Sequence, residues 1–380
     1  MNDANTTMNV ILGTTFLLPI LVTISLTAIP WITDRREAFG VTVPPAAHAD
    51  PAIRRLKRGF SWTMAATGTI ATAISLAVWQ RFGTEPAIWT ISAVSVMLTV
   101  IGFAAQQICR RTTRNIADRR NWHTDTDRRA AIIAEHNNPE PISLTWELLH
   151  VAALAVTVLV GVLGYGTMPE RVAIHENMAG QIDGWASKSP WLILMAVPGQ
   201  VIVAVVMIAA HAAIIAAKKP IDPDHPATTG FAYGTFARVW SIYTLVIGLL
   251  VAGWMGLGVQ LATIGAIAID LFATVAMLLA VAALTGVLVI SVYCGQNGSR
   301  FYAGVSNGNG GSESDDAMPA DDDRHWIGGV FYVNRDDPAI WVPKRFGVGW
   351  TVNCARPVVW LAAIALVVIS IALILLPFLM

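Results

Sequence analysis

The sequence predicts an all-α polytopic membrane protein with eight transmembrane helices and a small β-containing cytoplasmic cap. Of its 380 residues, 55% are hydrophobic and only 13% are charged, whereas an average soluble domain carries about a quarter charged residues. The charged residues are clustered, so they leave long apolar runs between them. A run of about 20 residues is long enough to cross the hydrocarbon core. Such runs must be helical because lipid cannot satisfy free backbone polar groups.

Eight apolar runs are expected to cross the membrane. The first is expected to stay as an anchor, because residues 1–8 carry no positive charge and the run is longer than that of a typical signal peptide. The division between the sixth and seventh runs depends on "GWMGLGVQLATIG" (253–265), whose glycines and Gln260 suit a turn at the membrane surface. The predicted spans are 9–31, 60–80, 87–108, 148–168, 190–216, 239–257, 266–294 and 357–379.

The distribution of basic residues predicts the orientation. The segments 34–59, 109–147, 217–238 and 295–356 together hold 22 of the 25 Lys and Arg residues. Positive charge accumulates in the short loops that remain inside the cell. We therefore predict that both chain termini lie outside and that these four segments are cytoplasmic.

The domain organisation follows from this topology. The segment 109–147 is expected to contain an amphipathic helix, to about His136, that rests on anionic lipid. A nucleic-acid partner is not expected, because the membrane topology already accounts for the basic residues. The predicted units are helices 1–4 with basic loops 34–59 and 109–147 (1–168), an extracytoplasmic loop (169–189), helices 5–7 (190–294), a disordered acidic and Gly-rich linker (295–324), a small β domain (325–356) and helix 8 (357–380).

Aromatic and β-branched residues alternate in "HWIGGVFYVNRDDPAIWVPKRFGVGWTVN" (325–353), which favours a two- or three-stranded meander. So small a unit needs support from the membrane domain or from other loops. The similar stretches "FGVTVP" (39–44) and "FGVGWTV" (346–352) suggest two paired strands of one cap. The candidate residues of the cap are Trp326, Tyr332, Asn334, Asp337, Pro343, Lys344, Arg345, Trp350 and Asn353.

The extracytoplasmic loop begins like a zinc-protease helix but does not continue like one. His175-Glu176 is followed by Ala179 at the position where the second histidine of that motif would stand. A catalytic zinc needs three protein ligands, and the loop offers no further histidine. The chain also contains no nucleotide-binding glycine motif. We therefore expect a protein that is not an enzyme and that has no metal and no cofactor.

The same loop resembles a known family. Its pattern of Pro, Ile-His-x-Asn and Gly-x-x-Asp-x-Trp-x-Ser-Lys is similar to the extracytoplasmic loop of a domain of unknown function that also occurs in bacterial SdpI-type toxin-immunity proteins. Ala173 replaces the usual proline of that pattern. The block 325–353 is similar to a cytoplasmic domain found in one branch of the family. The loop residues that the resemblance marks for recognition are Pro169, His175, Asn177, Gly180, Asp183, Trp185 and Lys188.

Two readings of this loop remain open. It is either a self-satisfied folded segment, in which Asp183 and Lys188 pair with each other or cap the next helix, or a surface that contacts a ligand. The resemblance implies a multi-pass protein of the bacterial cytoplasmic membrane that gives immunity to, or senses, an extracellular peptide toxin or envelope stress. Beyond the lipid bilayer and such a peptide, its partner proteins are unknown.

Polar residues within the predicted spans support an alternative function. Asp270, Gln200 and His211 are intramembrane candidates, because burying such groups in a membrane is costly. Asp270, His211 and His150 can also lie at the level of the headgroups, which would remove that cost. The alternative function is a secondary transporter or a transport accessory subunit that uses these residues.

Overall fold

The structure, a computed structural model, describes residues 2–122, 138–176, 182–222, 226–302 and 323–379. The predicted helical membrane class is confirmed. Within the described residues, seven helices are long and apolar enough to cross a membrane. The long helices are α1 (Asn2–Ile32), α2 (Pro51–Phe82), α3 (Thr84–Arg120), α4 (Leu148–Gly164), α5 (Ala196–Ala216), α6 (Pro226–Thr263) and α7 (Ile269–Cys294).

The described residues contain two further helices. A short helix, α8 (Ser299–Tyr302), follows α7, and α9 (Pro357–Leu379) ends the chain. The helix α9 occupies the eighth predicted span but is not among the seven, so the eight-helix count and the orientation stay predictions.

Several helices differ in length from their predicted spans. The helix α2 begins at Pro51 because Asp50 accepts a hydrogen bond from the Ala52 amide at 2.7 Å and acts as its N-cap. The helix α3 continues to Arg120, where Asn121 takes the left-handed conformation that ends it. Both extensions take residues from the predicted basic loops. The amphipathic helix predicted before His136 lies outside the described residues.

The break between α6 and α7 is confirmed but lies later than predicted. The helix α6 runs through most of the segment 253–265 and ends at Thr263. The chain then turns at Gly265, whose φ of +76° suits a residue without a side chain. Gly256 and Gly258 lie within α6 and allow close packing with neighbouring side chains, and Gln260 is fully buried within the same helix.

The helices form two groups. The helices α1, α2 and α3 pack on one another, as do α4, α5 and α6, and α7 contacts both α1 and α6. Large apolar side chains cover the outside of these groups, for example Trp62 and Leu163, each 75% exposed. Such exposure fits helices surrounded by lipid rather than by water.

The strands of the described segments pair as four two-stranded antiparallel hairpins, namely β1–β2, β3–β4, β5–β6 and β7–β8. The pair β3–β4 lies at the end of the molecule where α4 and α6 terminate. The other three lie at the opposite end, which we call the cap side. The strands are β1 (Glu37–Ala38), β2 (Val41–Thr42), β3 (Arg171–Glu176), β4 (Ile182–Ser187), β5 (Trp326–Ile327), β6 (Phe331–Tyr332), β7 (Trp341–Pro343) and β8 (Trp350–Val352).

The two similar stretches predicted to pair as strands do not do so. The stretch at 39–44 contributes to β1–β2, and the stretch at 346–352 contributes to β7–β8. They meet through side chains instead: the rings of Phe39 and Phe346 stack with centroids 5.7 Å apart, and Phe60 of α2 packs edge-on against both. The prediction that both belong to one cap is supported, whereas the strand pairing is wrong.

Candidate functional site

The hairpin β3–β4 is irregular at two points. The register pairs Ala173 with Trp185 and then His175 with Gly184, so Ile174 and Asp183 have no opposite residue. Bulges of this kind turn side chains away from the regular alternation. As a result the His175 Nδ1 reaches the carboxylate of Asp183, and both side chains remain largely exposed, at 67% and 48%.

Gly184 allows the two strands to approach closely at this point. A Cβ atom at position 184 would lie 2.6 Å from the Cβ of His175. That separation is far below an ordinary contact, so any side chain here would push the strands apart. Gly184, which is not one of the residues of the sequence pattern, is therefore needed to bring His175 and Asp183 together.

The inner face of the hairpin is anchored to the helices. Val172 points inward and is 3% exposed, and it belongs to one buried cluster with residues from the segments before β3, before α5 and after α6. Because each of these segments flanks a helix of the α4–α6 group, the hairpin is fixed to the end of that group. The cluster comprises Met168, Val172, Leu192, Ile193 and Ile264.

The outer face presents apolar and charged groups together. The indole of Trp185 is 48% exposed, and the guanidinium of Arg171 lies 5.2 Å from its ring centroid. Ile174 and Ile182 are 41% and 40% exposed. Exposed tryptophan and arginine are the residue types that most often dominate binding energy at interfaces.

The other predicted loop residues have different surroundings from those expected. Lys188 does not pair with Asp183: its Nζ lies 3.9 Å from Glu170 Oε1 and 5.3 Å from the ring centroid of Tyr165. Pro169 lies beside Gly265 in the turn after α6. Asn177 and Gly180 fall within 177–181, outside the described residues.

A second group of functional candidates lies inside the α4–α6 group, on the cap side. The His211 Nδ1 lies 2.6 Å from Glu147 Oε1, and the His211 Nε2 lies 3.0 Å from the Ile142 carbonyl oxygen. The His150 Nε2 is 3.2 Å from Glu147 Oε2, within ion-pair distance but out of line for a hydrogen bond. All three side chains are at most 5% exposed.

This cluster is not a metal site as it stands. Within the part of the chain that the structure describes, no group of three or more His, Cys, Asp or Glu side chains is arranged to hold a metal ion. The direct contact between Glu147 and His211 leaves no space for an ion between them. The cluster instead suits the sharing of protons between a carboxylate and two imidazoles.

Two buried amide side chains, those of Gln200 and Gln260, lie between the Glu147 cluster and the hairpin. Gln200 and Gln260 are 2% and 0% exposed, and neither atom of either amide has a hydrogen-bond partner among the described residues. The Gln200 amide faces Gly256, as does the Thr157 hydroxyl, while the Gln260 amide faces Gly161. A side chain at either glycine would overlap these amides.

Asp270 lies apart from the other intramembrane candidates. It occupies the first turn of α7, partly exposed, and its Oδ1 accepts a hydrogen bond from the Leu271 amide at 2.8 Å. Gln200 and His211 lie inside the α4–α6 group instead. The three predicted intramembrane residues therefore do not form one site.

The cap residues form a hydrogen-bonded unit around two side chains. Asn353, 0% exposed, donates to the carbonyl oxygens of Asn334, Asp337 and Ala339. The carboxylate of Asp337 accepts from Lys218 Nζ at 2.6 Å and from the Tyr332 hydroxyl at 2.9 Å. Burial alone would raise the pKa of Asp337, but these hydrogen bonds hold it below its usual value.

Other contacts fasten the cap to the helices and to the β1–β2 hairpin. Arg345 is 4% exposed; it contacts Asp323, donates to the Thr42 hydroxyl at 2.8 Å and stacks on Trp326 at 5.3 Å. The Trp350 indole donates to the Tyr233 hydroxyl of α6 at 3.3 Å. Pro343 pairs with Trp350 in β7–β8, and the Lys344 carbonyl accepts from Gln296 at 3.0 Å.

The predicted linker is shorter than expected at both ends. Gln296 and Gly298 are buried in the cap, and α8 follows them. At the other end, Asp323 accepts hydrogen bonds from the backbone and hydroxyl of Thr42. Residues 303–322 lie outside the described residues.

Sequence reasoning missed two of the buried residues. Glu147 was treated only as the last charge before α4, although its spacing of three residues from His150 places both on one helical face. Gln260 was assigned to a surface turn because glycines surround it. Gln260 lies inside α6 because that helix continues beyond its predicted end. The helix α4 begins at Leu148 as predicted, and the contact of Glu147 with His211 depends on how α4 and α5 pack.

Comparisons with known proteins match two parts of this structure. The domain of unknown function DUF1648 matches residues 152–198. That range contains most of α4, the β3–β4 hairpin and the start of α5. The family of unknown function DUF5808 matches residues 335–360, in the second half of the cap. No curated protein and no solved structure matched the chain.

Proposed function

We propose that this integral membrane protein recognises an extracellular peptide through the β3–β4 hairpin, and thereby gives immunity to that peptide or senses it. The observation that carries the proposal is the division of the hairpin into two faces. Val172 anchors one face to the α4–α6 group, while His175, Asp183 and Trp185 remain exposed on the hairpin. The resemblance of the loop residues to the loop of SdpI-type immunity proteins supports the same assignment. The region also matches DUF1648, a domain of unknown function.

The chemistry of the exposed side suits a peptide that is itself amphipathic. Trp185, Ile174 and Ile182 offer apolar area, and Arg171 and the His175–Asp183 pair offer charge and hydrogen bonds. A free hairpin edge also allows an extended peptide to add as a further strand. Because the hairpin is fixed in place, little ordering free energy opposes the binding.

A protection assay tests the proposal. Cells that produce the wild-type protein are challenged with a panel of amphipathic membrane-active peptides, and survival is compared with that of cells lacking it. We expect protection against at least one peptide, and we expect the double substitution His175→Ala with Asp183→Ala to abolish it. Membrane levels of each variant are measured alongside.

The matched control is Asp270→Asn, which removes a carboxylate at the same end of the molecule but outside the hairpin. It should retain protection. Protection that survives the double substitution at normal membrane levels would rule out recognition by the hairpin.

Secondary transport is the second candidate function, and it is supported by the burial of Gln200 and His211 within one helix group.

A further inference from the structure

Polar side chains occupy the interior of the α4–α6 group at three levels. The level nearest the cap holds Glu147, His150 and His211. The middle level holds Thr157 and Gln200, which meet at Gly256. The third, toward the hairpin, holds Gln260 beside Gly161.

The three levels are separated by distances that a few water molecules can bridge. Thr157 lies seven residues after His150 on α4, which is about 10 Å along a helix that rises 1.5 Å per residue. Gly161 lies about 6 Å further on by the same geometry. Between the first two levels, the buried positions of α5 and α6 are Ala204 and Ala252. Met207 of α5 packs at Gly248, beside the Nε2 of His150, so water between these levels has to pass this side chain.

The buried amides indicate that this interior is hydrated. Gln200 and Gln260 are almost fully buried, and both ends of each amide are without a protein partner. Burying such a group unsatisfied costs about 1–3 kcal/mol, so native proteins satisfy it with protein or ordered water. Water held at these two amides would connect the hairpin end to the Glu147 cluster.

We propose that the α4–α6 group is a proton path whose acceptor is Glu147, flanked by His150 and His211. A proton enters at the hairpin end, moves along water bound at Gln260, Gln200 and Thr157, and is received at the carboxylate or an imidazole of the cluster. The cluster then releases it to the solvent on the cap side, which returns the cluster to its starting state. The one charged residue of α6, Arg238, lies one turn before Ser241 and is exposed, as is Glu140 in the segment before α4. The cluster therefore contains the proton-binding groups at this level.

The hairpin covers the outer end of this path. Ile193 packs at Gly161, beside the Gln260 amide, and Ile264 packs at Gly164 one turn further out. Both belong to the apolar cluster that anchors the hairpin through Val172. Any weakening of that anchor should increase the access of water to Gln260.

Proton flux into vesicles tests the path independently of peptide recognition. The full-length protein is reconstituted into liposomes that contain a pH-sensitive dye, and a potassium gradient with valinomycin drives protons inward. We expect faster acidification than in empty vesicles, and a further increase in Val172→Ser. Glu147→Gln and Gln200→Leu should each return the rate to that of empty vesicles, whereas Asp270→Asn should keep the wild-type rate.

Gln200→Leu separates a role in the path from a role in folding. Its amide has no protein partner to lose, so the variant should unfold at the same temperature as the wild type or higher while losing the flux. The path is overturned if neither the wild type nor Val172→Ser exceeds empty vesicles. It is equally overturned if a folded Gln200→Leu variant conducts as fast as the wild type.

Discussion

The imidazole of His211 lies 2.6 Å from the carboxylate of Glu147, although 64 residues separate them in the chain. Both side chains are almost completely withdrawn from solvent, at 0% and 5% exposure. The contact joins the start of α4 to the end of α5. The hairpin connects α4 to α5 at one end of the molecule, and this contact joins the same two helices at the other end.

Removing Glu147 should destabilise the protein more than removing any exposed acid. Glu147→Ala leaves His211 and His150 buried without their shared partner, and breaking a buried pair in this way costs about 3–5 kcal/mol. Thermal unfolding in detergent measures the effect. Glu170→Ala, whose side chain is 90% exposed, should stay within about 0.5 kcal/mol of the wild type. Equal unfolding temperatures for the two variants would show that the buried contact contributes nothing.

Gly184→Ala should disrupt the hairpin without unfolding the helices. The new Cβ would lie 2.6 Å from the Cβ of His175, so the strands must separate and the His175–Asp183 pair must break. Amide hydrogen exchange across 171–187 should become faster. Gly166→Ala is the control, because no atom lies within 4 Å of a Cβ at that position. Unchanged exchange in Gly184→Ala would contradict the observed strand register.

The stability of the cap side should fall as the pH falls from about 6.5 toward 4. Burial, together with the nearby charge of Lys57, lowers the pKa of His48 from 6.5 to about 4. Between these values the unfolded chain binds a proton at this position and the folded chain does not, so the free energy of unfolding decreases with falling pH. Unfolding temperatures measured across this range should show the decrease.

The substitution His48→Gln should make this pH dependence shallower, because it removes the titrating group. It keeps a polar side chain beside Lys57, whose Nζ lies 2.6 Å from His48 Nδ1. A variant with the same slope as the wild type between pH 6.5 and 4 would show that another group is responsible.

Asn353→Ala should loosen the cap. The buried amide donates to three carbonyl oxygens, and its oxygen accepts from the Asn334 amide at 3.0 Å. Losing these bonds leaves buried groups unsatisfied, at about 1–3 kcal/mol each. Tryptophan fluorescence during urea unfolding should report the loss through Trp326 and Trp350. The exposed control Asp336→Ala should unfold like the wild type, and an identical curve for Asn353→Ala would contradict a central role for this residue.

Much of the membrane architecture could be predicted from the sequence, because an apolar run between charges has few alternatives in lipid. The limits of that reasoning appear at α6. The glycines near its end suggested a turn, yet Gly258 allows close packing of Phe272 and Gly256 allows the approach of the Gln200 amide. Composition does not distinguish a glycine that ends a helix from one that lets two helices approach.

The candidate sites were less predictable because they depend on partners distant in sequence. The spacing of the hairpin residues resembled a known loop, but the pairing of His175 with Asp183 depends on two bulges that no periodicity reveals. The Glu147–His211 contact depends in turn on how α4 and α5 pack. The stacking of Phe39 on Phe346 explains why two similar stretches lie together without forming a common sheet.

The central claim is that the outer side of the hairpin contacts the peptide directly. Photo-crosslinking tests it most directly, with a benzophenone amino acid placed at position 185. The control outside the hairpin is position 191, because Trp191 is 76% exposed and therefore more accessible than Trp185 at 48%. The probe is a labelled peptide from the panel against which the protein protects. We predict crosslinking at position 185 that is lost with His175→Ala and Asp183→Ala, and little at position 191. Crosslinking that is equal at both positions, or absent at position 185 while protection persists, would contradict the account.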